Sequence, residues 1–188
     1  MELLDAHGQA MDVFDRAMHK VGLTDWDSPT PCTDWSVRDL VNHIVGEQLW
    51  VPDMLAGRTV AEVGDKFDGD QLRDDPLHAW REASDAARAA WLQPGAVERT
   101  VHLSYGDESA EEYGWQMTTD LAVHGWDLAT ALGADAGIPD ELATRLLAYI
   151  EPQLAAWSGS SMFADPVTVT EDAPAPDRLV ALLGREPS

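Results

Sequence analysis

The 188-residue sequence predicts an all-α fold in a single domain. Apolar residues recur at three- and four-residue spacing in five long stretches, glycine or proline separates those stretches, and only brief pieces alternate as a strand would. With 45% hydrophobic content, a chain of this length can bury one continuous core. The core is expected over about residues 1–157, with a C-terminal tail over about 158–188.

The first helix is expected over residues 2–21, where Leu3, Leu4, Met11, Phe14, Ala17, Met18 and Val21 share a face and Gly22 stops the run. Trp26 to Trp35 reads as a loop, because the two prolines of Ser28-Pro29-Thr30-Pro31-Cys32 remove amide donors and hold the preceding residues extended. Ser36 is placed to cap a second helix, with Asp39 completing an approximate capping box. That helix should reach about Leu55, with Pro52 ending or kinking it, and Gly57 to Asp75 should form a long polar connection.

A third helix, at about 76–92, presents Leu77, Trp80, Ala83, Ala87 and Trp91, and Gln93-Pro94-Gly95 ends it. Val97 to Leu103 alternates as a short strand or extended arm, with a turn at Gly106 and Asp107. The fourth helix, roughly 108–132, carries Tyr113, Met117, Leu121, His124, Leu128 and Leu132 on one stripe, with Asp107 or Ser109 as cap and Gly133 beyond its end. A fifth runs from about Pro139 to Trp157. The tail is irregular, with an extended Val167-Thr168-Val169 and a brief helix from Asp177 to Leu183 that ends at Gly184.

Charge narrows the function classes. With 34 acidic against 12 basic residues and a formal net charge of -22, the chain is repelled by nucleic acid and by anionic membrane surfaces. Cys32 is the single cysteine, which excludes an internal disulfide and a cysteine-rich zinc finger, so any metal must be held by nitrogen and oxygen. The N-terminus shows no basic-then-apolar leader, and no apolar run is long enough to span a bilayer. A soluble, cytoplasmic protein is expected.

His43, Asp120 and His124 are the candidate metal ligands. Asp120 and His124 stand four residues apart, one turn along a single helical face, and His43 shares a face with Leu40 and Ile44 on another helix. Two histidines and a carboxylate leave a coordination position open for water or a substrate. Glu47, one turn after His43, reads as a further ligand, a hydrogen-bond acceptor, a general base or simply a polar helix residue. Asp127, three residues after His124, carries the same set of readings. Cys32 reads as a packing residue or a reactive thiol near a helix N-terminus. His7, His19, His78 and His102 lack partners at ligand spacing and read as surface or ordinary hydrogen-bonding residues. Trp35, Trp50, Trp115 and Trp126 read as core or as walls of an apolar pocket.

The run from Pro29 through Cys32, Trp35 and Asp39 to His43, together with Val123-His124-Gly125-Trp126-Asp127-Leu128-Ala129, resembles the DinB/YfiT-like metalloenzyme superfamily. The similarity is to the branch of the mycothiol-dependent maleylpyruvate isomerase metal-binding domain, and the ending from Asp177 to Pro187 is similar to that of single-domain actinobacterial members. The resemblance implies a DinB-like up-and-down four-helix bundle with a divalent metal, zinc or nickel, on His43, Asp120 and His124. It also implies a low-molecular-weight thiol, mycothiol or similar, acting on a small electrophile in a transferase or isomerase reaction. A second copy of the chain in a homodimer is a further expected partner.

The isomerase branch usually carries Glu at the position of Asp120, so the carboxylate here is one methylene shorter. The residues after Trp157 are too few for the isomerase's additional C-terminal domain, so the specific isomerisation is not expected to transfer. A non-catalytic metal-binding module for a small ligand or protein partner, and a metal-dependent hydrolase, are the competing readings.

Overall fold

The structure is a computed structural model that describes residues 1–154, 164–170 and 172–187. It falls into two compact units, Glu2–Ala136 and Met1 with Gly137–Ser188.

In the first unit, α1 (Leu3–Met18), α2 (Val37–Leu55), α4 (Pro76–Trp91) and α5 (Ala110–Ala131) form a four-helix bundle. α1 packs along α5, and α2 packs on both α4 and α5. Phe14, Leu40, Ile44, Trp80, Leu121 and Leu128 are fully buried between them. The close approach of α1 and α5 depends on two glycines three turns apart on α5. A Cβ at Gly114 would lie 2.6 Å from Leu3 Cδ2, and one at Gly125 would lie 2.8 Å from Val13 Cγ1 and 3.1 Å from the Phe14 amide nitrogen. Those separations leave no room for a side chain, so the glycines set how deeply α5 sits.

The capping box at α2 forms with Asp39 in place of the preferred Glu. Ser36 Oγ accepts from the Asp39 amide at 3.3 Å, and Asp39 Oδ2 accepts from the Ser36 amide at 3.0 Å. α2 continues through Pro52 to Leu55, so the proline does not end it. α1 stops at Met18, short of Val21, because the Lys20 and Val21 amides turn back to the Ala17 and Met18 carbonyls. The connection after α2 contains a single-turn helix, α3 (Val60–Val63), closed by a second capping box between Thr59 and Glu62. Four residues are too few to show a helical period, which is why the connection reads as structureless.

The extended arm is half of a hairpin. β1 (Thr100–Leu103) pairs antiparallel with β2 (Gly106–Ser109), Val101 opposite Glu108. Gly106 and Asp107, expected at the turn, are instead the first residues of β2. Ser109 then caps α5 by accepting from the Glu112 amide at 3.1 Å, and Gly133, at φ 63°, follows its end.

In the second unit, α6 (Asp140–Ile150) passes into a 3₁₀ turn (Glu151–Gln153) containing Pro152, and the expected continuation to Trp157 lies outside the described residues. α7 (Ala175–Leu182) packs on α6, with Leu142, Leu146, Ile150, Leu179 and Val180 buried. The Val167 amide donates to the Ala181 carbonyl at 2.8 Å, and the piece from Val167 to Val169 joins no described strand. Among the described residues no helix is long and apolar enough to cross a membrane.

Candidate metal centre

α2 and α5 bring His43, Asp120 and His124 together within the first unit. One ligand atom from each lies within 4.8 Å of the other two. His43 Nε2 is 3.1 Å from Asp120 Oδ2, and His124 Nε2 is 3.3 Å from Asp120 Oδ1. Both imidazoles therefore turn the same nitrogen toward one carboxylate. Their ring centroids are 5.2 Å apart and nearly perpendicular, at 77°.

Asp127 fixes one of those rings. Its carboxylate is fully buried, and Oδ2 lies 2.9 Å from His124 Nδ1. With Nδ1–H donated to Asp127, the lone pair of Nε2 is left facing Asp120, the tautomer a metal ligand needs. Of the readings open for Asp127, the structure selects the hydrogen-bond acceptor behind a ligand.

Trp35 covers the centre from the loop before α2. Its rings lie 4.9 Å from His43 and 5.6 Å from His124, the latter stacked at 27°. The loop is built to hold it. Thr30 donates from its amide and its hydroxyl to the Trp35 carbonyl, the Trp35 amide donates to the Cys32 carbonyl, and Asp34 turns the chain at φ 68°. Sequence alone marked Trp35 only as one of several aromatic candidates.

The electrostatics are those of a buried cluster in which one carboxylate supports two protonated imidazoles. Burial pushes the Asp120 carboxyl up, but the charges and hydrogen bonds of His124 and His43 outweigh it and hold the group well below the carboxylate range. Burial pulls His124 down, yet Asp120 and Asp127 raise it to about 9. Burial also opposes the charge on His43, and the hydrogen bond and charge of Asp120 leave it raised. Glu47 is not among the three groups whose donor atoms converge, so it is not a fourth ligand in this geometry. It is nevertheless a neighbour: burial and the charge of Asp120 push its carboxyl up, and its own charge acts on His43. Tyr113, buried on α5, is pushed well up by burial and by Glu47 and Asp120.

The remaining candidates fall elsewhere. Cys32 is half-buried in the loop and outside the ligand cluster. His19 lies against Asp15, His78 against Glu82 and His102 against Asp107. His7 is a core residue beside Trp91, with Arg88 donating to its Nδ1 at 3.3 Å. Trp50 packs against Phe67, and Trp115 and Trp126 are buried.

Residues 7–129, a span containing all three candidate ligands, match the mycothiol maleylpyruvate isomerase N-terminal domain family. The chain belongs to that family. Two uncharacterised proteins of Mycobacterium tuberculosis, from strains CDC 1551 / Oshkosh and ATCC 25618 / H37Rv, are each 32% identical to it over 190 residues, covering 98% of both chains. The crystal structure of a histidine-to-alanine mutant of mycothiol-dependent maleylpyruvate isomerase superposes with a TM-score of 0.61 at 16% identity, covering 78% of this chain and 66% of that one. At that identity the likeness shows the fold, which is the DinB-like bundle expected from the sequence.

The donor set suits a divalent d-block ion: two imidazole nitrogens and one carboxylate, one imidazole backed by a second carboxylate. Asp120, despite its shorter side chain, reaches both histidines.

Proposed function

We propose that this protein is a metal-dependent transferase or isomerase that uses a low-molecular-weight thiol, mycothiol or a close analogue, on a small electrophile. The observation that carries the reading is the convergence of three donor atoms with no fourth protein ligand among the described residues. Membership of a mycothiol-dependent isomerase domain family supports the thiol.

His43 and His124 would hold the ion through Nε2, and Asp120 through its carboxylate. Zinc or nickel suits these donors, and the bound ion would supply positive charge that favours a thiol in its ionised form near neutral pH. Asp127 keeps His124 in the ligating tautomer, and the Trp35 indole covers one side of both rings. Glu47, one turn from His43 and half-buried, is the carboxylate placed to accept the proton that an arriving thiol gives up. The electrophile then meets a sulfur nucleophile, and no protein nucleophile is needed.

The test is elemental analysis of untagged protein purified without added metal, followed by thermal denaturation with and without chelator. Near-stoichiometric zinc or nickel and a chelator-induced fall in Tm are expected. Metal content should be lost in His43→Ala, and turnover of test electrophiles should require added thiol. Equal metal in wild type and variant would remove His43 from the centre, and turnover without thiol would assign a hydrolase.

A further inference from the structure

The groups that surround the candidate ligands are acidic or aromatic. Asp127 stands behind His124, Glu47 lies one turn along α2 from His43, Tyr113 lies two turns before Asp120 on α5, and Trp35 covers the imidazoles. Among the described residues no lysine or arginine figures among the charges that act on His43, Glu47, Tyr113, Asp120 or His124. The cations of α2 and of the connections around it pair elsewhere. Arg38 pairs with Asp70, Arg58 and Lys66 both pair with Asp53, and Arg99 donates to the Leu55 carbonyl.

Three carboxylates, Asp120, Asp127 and Glu47, outnumber the charge of one divalent ion, and protonation of Glu47 only brings the balance to neutral. The whole chain, these three carboxylates included, carries a formal net charge of -22. Among the described residues of the first unit no cationic side chain acts on these groups to pair with a dianionic ligand's carboxylates, and a desolvated, unpaired charge is strongly disfavoured.

Resting on the thiol-dependent reading above, we infer that this centre selects small thiols and electrophiles that are uncharged or cationic, and discriminates against carboxylate-bearing ones. Glu47 is the residue that sets much of that selection, because it is the carboxylate neither converging on the ion nor committed to a ligand histidine.

The probe series varies charge on one functional group: cysteamine, 2-mercaptoethanol, 3-mercaptopropionate and mercaptosuccinate. Binding to cobalt(II)-loaded protein is followed by near-ultraviolet absorption and tryptophan emission, with affinities expressed per ionised thiol. At low ionic strength each added negative charge should weaken binding by about tenfold, the scale of one unit charge at several ångströms under partial screening. Added salt should compress the series. Glu47→Gln should narrow the gap between 2-mercaptoethanol and mercaptosuccinate by about tenfold while cobalt content is unchanged.

Mercaptosuccinate binding as tightly as 2-mercaptoethanol overturns the inference and leaves the thiol-dependent reading intact. An unchanged gap in Glu47→Gln, with cobalt still bound, overturns the assignment of selection to Glu47. Wild-type protein that takes up no metal, or that binds none of the four thiols, overturns the proposed function and this inference with it.

Discussion

His124 and His7 are both buried, one on α5 and one on α1, and the structure drives them in opposite directions. His124 is raised to about 9, while burial followed by the charge of Arg88 lowers His7 to about 3. Burial opposes charge on both rings, so the sign of the partner decides the outcome. Two carboxylates face His124, and a guanidinium faces His7 at 3.3 Å. One histidine is thereby favoured in its protonated form within a cluster that could hold a metal ion. The other is held neutral as part of the core.

The largest expected effect comes from removing the carboxylate that makes the difference. Asp120→Ala should abolish stoichiometric metal uptake and lower the His124 pKa from about 9, read by elemental analysis and by histidine NMR titration. His7 should titrate as before. A His124 that still titrates near 9 in the variant would show that Asp127 alone supports its charge.

The same contrast sets the pH dependence of stability. Groups with raised folded pKa values, His124 and His43, contribute stability that is fully present below about pH 6.5. That contribution is lost as pH rises, through about 9 for His124. His7, with a lowered folded pKa, contributes above about pH 6.5, and its contribution is lost as pH falls toward about 3. Metal-free protein should therefore be most stable near pH 6 to 7 by about these arguments, with Tm falling on both sides. Saturating zinc should remove the alkaline fall, because the ion binds the deprotonated rings, and leave the acid fall in place. An alkaline fall that persists with zinc would break the link between His124 and the ion.

The nearness of Asp120 and His124 was legible because they are one helical turn apart, a spacing that survives any uncertainty in helix ends, while the placing of His43 beside them leaned on the family resemblance. Asp127 was visible at three-residue spacing but not separable from an ordinary polar residue until its burial was known. Trp35 was not legible as a partner of the ligands, since its position follows from the left-handed turn at Asp34 and three backbone-directed hydrogen bonds. His7 is the hydrogen-bonding residue that was one of its two readings, but its burial and its partner were not legible. Its partner Arg88 is 81 residues away, and no local pattern announces a contact of that range. β1 was expected as a short strand or extended arm, whereas β2 and α3 were not expected as elements, each being only four residues long.

Gly125 connects the metal face to the packing beneath it. Gly125→Ala should destabilise by about 1–3 kcal/mol, because the new methyl meets the Phe14 backbone as well as the Val13 side chain. α5 must shift to relieve that contact, and His124 is the neighbouring residue, so metal affinity should fall as well. Gly46→Ala is the control on α2, where a Cβ meets nothing within 4 Å. It should be neutral or stabilising by up to about 1 kcal/mol, the helix propensity difference between the two residues. Denaturant unfolding of the metal-free forms separates the cases. An equal gain in both variants would mean that backbone entropy and propensity, not the α1–α5 contact, govern the glycines.

The smallest effect tests how the two faces of the site are joined in sequence. Ser36 follows Trp35 directly and caps the helix that carries His43. Ser36→Ala removes the acceptor for the Asp39 amide and should cost about 1 kcal/mol of stability. Asp39 also accepts from the Ser36 amide, and that bond survives the change, so the helix start should loosen rather than unravel. If the cap does no more than stabilise α2, zinc affinity should be unchanged when measured well below the Tm. If it also holds the corner that sets Trp35 against His43, zinc affinity should fall together with a change in tryptophan emission, while the pKa of His7, on another helix with its own partner, stays where it was.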